Sequence, residues 1–286
     1  MDQLAKTNIL GVGITPTSYE EVVHVCDQWL ANRHDRHAAR DSAQLGDRTR
    51  YIAVTSVHGI ISSVLNSSVR RCINQADVAT PDGMPVVWAL RSFGCKRQQR
   101  VYGPTLTLAL CAMAQKRSHG IFLYGSCSET LDSLKKNLLR RYPDLRIVGS
   151  FSPPFRPLTE AESREVVQQI SDSGADIVFV GLSTPKQEFW MATHHRKLDG
   201  MVLVGVGAAF DFHAGKLRQA PGWMQRSGLE WLFRLLAEPR RLWRRYLLVT
   251  PLFLPLWGLQ RLGILQLWQR FALDDPRARM IEGASL

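Results

Sequence analysis

The chain has 286 residues, 45% of them hydrophobic and 21% charged, which is too apolar for a disordered segment and long enough to bury a sizeable core. Thirty-six basic residues outnumber 25 acidic ones, and the resulting charge of +11 points to an anionic partner such as phosphate, nucleic acid or an acidic lipid surface. Five scattered cysteines (Cys26, Cys72, Cys95, Cys111, Cys127) include no C-x-x-C pair, which argues against a disulfide framework or a zinc knuckle.

Strand-like and helix-like segments alternate, so the expected fold class is α/β with a mainly parallel sheet flanked by helices. Residues 1–14 lack the charged and apolar regions of a signal peptide, so secretion is not expected. Within them, residues 8–14 read as a strand. A helix is expected over 18–33 and a loop over the polar run 34–47. A buried strand over 51–56 leads into a helix over 58–73, and a turn at Pro81, Asp82 and Gly83 precedes a helix over 86–93. The second half keeps the rhythm: strands over 120–125, 146–150, 176–181 and 201–206 alternate with helices over 128–141, 160–173 and 186–197. In such a sheet the loops at the carboxyl ends of the strands bind ligands, and the motif-like residues fall there.

The final third changes character. Beyond Trp223 the chain is rich in Trp, Arg and Leu, with a helix expected over 229–238 and a second, opened by Pro239, running to about 249. A boundary near residue 220 divides an α/β domain, residues 1–220, from a helical basic appendage, residues 221–286. Between residues 216 and 245, eight basic side chains face only Glu230 and Glu238. The apolar stretch 246–259 contains Pro251 and Pro255 and is shorter than the ~18 to 20 residues that a membrane-crossing helix needs. Attachment to an anionic membrane surface is the expectation.

Asp82 sits in a Pro-Asp-Gly turn after a strand-like stretch, ordered yet open, as a general base must be; the alternative is a turn carboxylate bonded to its own backbone. Thr55 ends an earlier strand. The junction 181–188, GLSTPKQE, brings Gly181 and the start of a helix bearing Lys186 and Gln187 into one loop, where exposed backbone N–H groups suit a phosphate or a row of sugar hydroxyls. Gly125 begins a similar junction one unit earlier. The glycine tract at Gly205 and Gly207 lacks the third glycine of a dinucleotide fingerprint, and Gly11 and Gly13 fail in the same way. No histidine spacing suits a metal, His194 and His195 are adjacent, and there is no Asp-x-Asp pair, so neither a metal nor a cofactor is expected. A diphosphate would have to be neutralised by arginines, and Arg234, Arg240, Arg241, Arg244 and Arg245 crowd two consecutive helices.

The series PDGMPVVWALR, RVYGP, YPDLRIVG, VGLSTPKQE, GVGAAFDFHAGKLRQAP and GLEWLFRLLAEPRRLWRRYL resembles, in order over roughly residues 8–255, the WecG/TagA/CpsF family, glycosyltransferase family 26. The resemblance implies a Rossmann-like domain followed by an appendage that attaches to the membrane and completes the active site. It implies inverting, metal-independent transfer from a UDP-sugar donor to a polyprenyl-diphosphate-linked glycan acceptor, in teichoic acid, surface-antigen or exopolysaccharide assembly. The enzyme would be cytoplasmic and peripheral on the inner face of the plasma membrane. The family's proposed base falls on Asp82, its threonine on Thr55, its motif glutamine on Gln187, and its appendage arginines on Arg234, Arg241 and Arg244. Many members carry Thr-x-Asn where this chain reads Thr55, Ser56, Val57, His58, which leaves an N-acetylmannosamine-type or a glucose-type donor open. A homo-oligomer is also left open. Two other classes share some features. A nucleic-acid-binding protein would interleave its aromatics with Lys and Arg, whereas these sit among leucines, and an oxidoreductase needs an intact glycine fingerprint.

Overall fold

The computed structural model describes residues 4–38 and 48–265. The stretch expected as one N-terminal strand is instead a hairpin of β1 (Thr7–Ile9) and β2 (Val12–Ile14), antiparallel and outside the main sheet. Its two-residue turn puts Leu10 and Gly11 at φ +52° and +85°. Such a turn usually carries Asn-Gly, and a buried leucine in that conformation gives no turn signal in the sequence. Helix α1 (Tyr19–Ala38) extends past the end expected at residue 33, and the rest of the expected loop, 39–47, lies outside the described residues.

Six strands form the main sheet: β3 (Arg50–Thr55), β4 (Val78–Pro81), β5 (Gly120–Gly125), β6 (Arg146–Phe151), β7 (Ile177–Gly181) and β8 (Val202–Gly205). They run in the order β4-β3-β8-β7-β5-β6, and every pairing is parallel. Successive side chains of a strand point to opposite faces, and both faces are covered. Ile121, Leu123 and Phe179 enter one core, while Phe122, Tyr124 and Val180 enter the other.

The expected helix over 58–73 is two helices, α2 (Val57–Leu65) and α3 (Ser67–Gln75). Asn66 breaks it: at φ −140° its side chain accepts from the N–H groups of Ser68 and Val69 and caps α3. Helix α4 (Met84–Ser92) follows with Pro85 in its first turn, and α5 (Gly103–Arg117), which the sequence did not signal, packs against α1. Gly103, Pro104, Leu106, Thr107, Leu110, Cys111, Met113 and Ala114 are all buried in α5, a spread too wide to give an amphipathic stripe. Helices α6 (Ser128–Arg141), α7 (Glu160–Asp172) and α8 (Lys186–His194) fall within three residues of the expected bounds.

After β8 come α9 (Ala209–His213), α10 (Gly222–Arg226), α11 (Glu230–Ala237) and α12 (Pro239–Trp243). The helical path then widens into a π-helical stretch, Arg244–Val249, tightens through Thr250–Leu252 and ends in α13 (Phe253–Arg261). This segment folds back onto the sheet domain. Phe253 is 1% exposed within the core on the Tyr124 face, and Trp257 Nε1 donates to Ser92 Oγ of α4 at 3.3 Å. Among the described residues no helix is long and apolar enough to cross a membrane.

Candidate active site

The carboxyl ends of β3 and β4 open into a cleft whose other wall is the C-terminal helical segment. The backbone N–H of Asp82 donates to the Thr55 carbonyl at 3.0 Å, which fixes the residue at the mouth of β4. Gly83 follows at φ +93°, a conformation that suits glycine, and turns the chain into α4 so that the Asp82 carboxylate faces the cleft. Arg100 reaches this carboxylate: its Nε donates to Asp82 Oδ1 at 2.9 Å and its Nη1 to Glu230 Oε2 at 2.6 Å. The guanidinium also lies over the Tyr102 ring, 4.0 Å from its centroid. Burial alone would loosen the Arg100 proton, but the Asp82 and Glu230 carboxylates overcome it and raise its pKa above the ordinary arginine value.

Facing this chain are His58 of α2, Arg234 of α11, and Arg245 and Tyr246 of the π-helical stretch. Five buried polar atoms around the cleft have no hydrogen-bond partner: His58 Nδ1, Tyr102 hydroxyl, Arg234 Nε, Arg245 Nε and Thr250 Oγ1. Buried polar atoms are nearly always paired in a finished structure, so five around one cavity suit a polar ligand. Two of them are guanidinium N–H groups, which suit an anionic ligand. Burial, and secondarily the neighbouring Arg245, push His58 down to about 4, so it is neutral at pH 7. Burial likewise lowers the pKa of Arg245.

A model of the Glycosyl transferase WecG/TagA/CpsF family matches residues 7–266. The chain belongs to this family. It is 32% identical over 182 residues to the N-acetylglucosaminyldiphosphoundecaprenol N-acetyl-beta-D-mannosaminyltransferase of Bacillus spizizenii, a match covering 64% of this chain and 68% of the relative. The protein of the same name from Bacillus subtilis is 31% identical over 176 residues, covering 61% of this chain and 66% of the relative.

In this WecG/TagA/CpsF chain, two of the residues expected at the site, Asp82 and Arg234, line the cleft. Arg241 is exposed and pairs with Glu238 at 2.6 Å, and Arg244 is exposed and lies over the Trp243 ring. The neighbouring Arg245 is the one turned inward: it follows the buried Leu242 by three residues and so shares its face, while Arg244 follows the exposed Arg241 by the same step. Thr55 is 2% exposed, and its hydroxyl donates to the Ala53 carbonyl of its own strand at 3.1 Å. It anchors Asp82 through its backbone and does not line the cleft.

Gly125, Gly181, Lys186 and Gln187 lie further along the same carboxyl edge, at β5, β7 and the start of α8. Gly125 and Gly181 are register partners, and a Cβ on Gly125 would stand 2.6 Å from the Gly181 carbonyl. One on Gly181 would stand 2.3 Å from the Phe210 ring. Gln187 is buried, and its Nε2 donates to Glu188 Oε1 at 3.1 Å, while Gln187 Oε1 and Glu188 Oε2 have no partner. Burial raises the Glu188 pKa. Lys186 is exposed. Among the described residues no group of three or more His, Cys, Asp or Glu gathers in a way that could hold a metal ion. Sequence reading did not single out His58, Arg100 or Glu230 as site residues; Arg100 opens the motif RVYGP and Glu230 lies in GLEWLFRL, so both signals were present as motifs without a chemistry attached.

Proposed function

We propose that this glycosyltransferase moves a hexosyl unit from a UDP-sugar to a polyprenyl-diphosphate-linked sugar, with inversion and with Asp82 as the base. The observation that carries the reading is the cleft itself, where an accessible carboxylate stands across from two half-buried arginines, Arg234 and Arg245, whose buried Nε–H groups lack partners. In a single displacement the acceptor hydroxyl attacks the anomeric carbon as the bond to the diphosphate breaks. Asp82 takes the hydroxyl proton, and the arginines stabilise the charge developing on the leaving diphosphate. Because they supply that charge, transfer is expected to proceed in EDTA. The activities for which the two Bacillus relatives are named support an acceptor carrying a diphosphoundecaprenol-linked sugar and an N-acetylmannosaminyl donor. For this chain a glucose-type donor stands beside the N-acetylmannosaminyl one.

Residues 221–286 are taken as the appendage that meets the lipid. Leu247, Leu248, Leu252 and Leu254 are exposed on the same segment as the exposed Arg240, Arg241 and Arg244, the pairing of apolar and basic groups that rests on an anionic bilayer surface. The inner face of the plasma membrane, where nucleotide-sugars are supplied, is the surface proposed. The test is UDP release by the purified protein with a panel of UDP-sugars and a short-chain polyprenyl-diphosphate-linked sugar, with and without EDTA. Acceptor-dependent release with one donor, unchanged by EDTA, is expected. Silence across a broad panel would overturn the reading.

A further inference from the structure

Arg100 divides its fork between two carboxylates that come from distant parts of the chain. Its Nε goes to Asp82, at the end of β4, and its Nη1 to Glu230, the first residue of α11. The three side chains are 14%, 19% and 12% exposed, respectively, so their charges act on one another with little screening by water. An arginine beside a single carboxylate tends to grip both of its oxygens. Here Glu230 takes the second half of the fork, and the hydrogen bonds of Arg100 engage Asp82 through Oδ1 alone.

We propose that Glu230 is a positioning residue for the transfer reaction: by sharing the Arg100 charge it keeps the Asp82 carboxylate both oriented and basic. The inference rests on the reading of Asp82 as base. Without the Glu230 charge, the whole of the Arg100 charge would fall on Asp82, and a carboxylate beside an uncompensated cation holds its proton less well. A weaker base removes the acceptor proton less effectively. Other ionisable groups face this chain: Tyr19 of α1, His58 of α2, Tyr102, Arg234 of α11, and Arg245 and Tyr246 of the π-helical stretch. All of them stay in place in the comparison that follows. The arrangement also links the base to the C-terminal segment, since the residue that holds Arg100 reaches the site only when α11 is docked.

The experiment is the pH profile of kcat/KM for wild type, Glu230→Gln, Glu230→Ser and Glu230→Asp, each checked for folding by its melting curve. Glutamine keeps the shape and an oxygen that can accept from Arg100, and removes only the charge. In whichever charge-removing variant folds, the acid limb is expected to move to lower pH by roughly half a unit or more, with a plateau about 3- to 10-fold lower. Glu230→Asp is expected to keep the wild-type limb. A residue that merely fastened the helix would lower the rate and leave the limb in place, so an unmoved limb in the charge-removing variants overturns the proposal. Asp82→Asn run in parallel separates the two readings. If it is inactive while the limb of Glu230→Gln is unmoved, only the role of Glu230 falls; if it is fully active, the base assignment falls and this inference with it.

Discussion

Gln260, near the end of α13, holds the turn of the N-terminal hairpin at Leu10. Its Oε1 accepts from the Leu10 N–H at 2.9 Å, and its Nε2 donates to the Asn8 carbonyl at 3.1 Å. The side chain is 9% exposed, so Gln260→Ala would leave the Leu10 N–H buried and unpaired. A buried donor stripped of its partner costs about 1–3 kcal/mol. Urea unfolding of Gln260→Ala should therefore show a lower midpoint with an unchanged slope. A wild-type midpoint would mean that the two hydrogen bonds of Gln260 add nothing to the apolar packing around α13.

The inward turn of Arg245 and the outward turn of Arg244 predict unequal effects from adjacent substitutions. Arg245→Gln removes a buried guanidinium whose Nε–H awaits a partner in the cleft, and kcat/KM should fall by about 10² to 10³, as when one preorganised donor is lost from a charge-stabilising site. Arg244→Gln, on the exposed face beside Trp243, should stay within about threefold of wild type on a short-chain acceptor and show its deficit on anionic vesicles. Steady-state assays in both formats check this, and equal losses on the short-chain acceptor would contradict the geometry.

Gly181 makes room for Phe210, since a Cβ there would sit 2.3 Å from the ring, and that ring is 1% exposed in the core. Gly181→Ala must move a packed aromatic side chain, and overpacking of this kind costs about 1–3 kcal/mol. The expected result is a lower urea midpoint even with saturating nucleotide present. An unchanged midpoint would show that the core yields at Phe210.

The alternation of βα units was legible because a parallel sheet covered on both faces writes near-continuous apolar runs such as GIFLYG into the sequence. The places where the reading failed have local physical causes. Asn66 splits a helix through a side-chain cap that competes with the helical backbone, and Leu10 takes the first turn position, where Asn is usual, so that Gly11 alone marks the hairpin. Helix α5 hides because it is buried around most of its circumference. At the site, Asp82 was legible from its Pro-Asp-Gly turn. Glu230 was not, because what it does depends on Arg100, 130 residues away, and no spacing rule reports a contact of that range. Arg245 could not be told from Arg244 until the fold showed which face of the segment is buried: Arg245 shares the face of Leu242, and Arg244 that of the exposed Arg241.

His58 gives a prediction in the acid range. The unfolded chain takes up its imidazole proton near pH 6.5, whereas in the fold burial, with Arg245 beside it, holds the group down to about 4. Between those values the unfolded state binds more protons, so the free energy of unfolding rises with pH, and stability is lost as pH falls from 6.5 towards 4. His58→Gln removes this one contribution. His194, His195 and His213, whose pKa values burial also lowers, act in the same direction and remain in both proteins. The difference between wild type and variant should therefore isolate His58, changing by about 1–2 kcal/mol across the window once the group's partial exposure is allowed for. Urea unfolding at pH 7, 5.5 and 4.5 checks this, and parallel lines for the two proteins would show that His58 titrates alike in both states. With UDP bound, a diphosphate beside Arg245 would place negative charge near the imidazole and raise its pKa, so the same difference should shrink when nucleotide is present. A difference that does not respond to UDP would move the diphosphate away from the His58 side of the cleft.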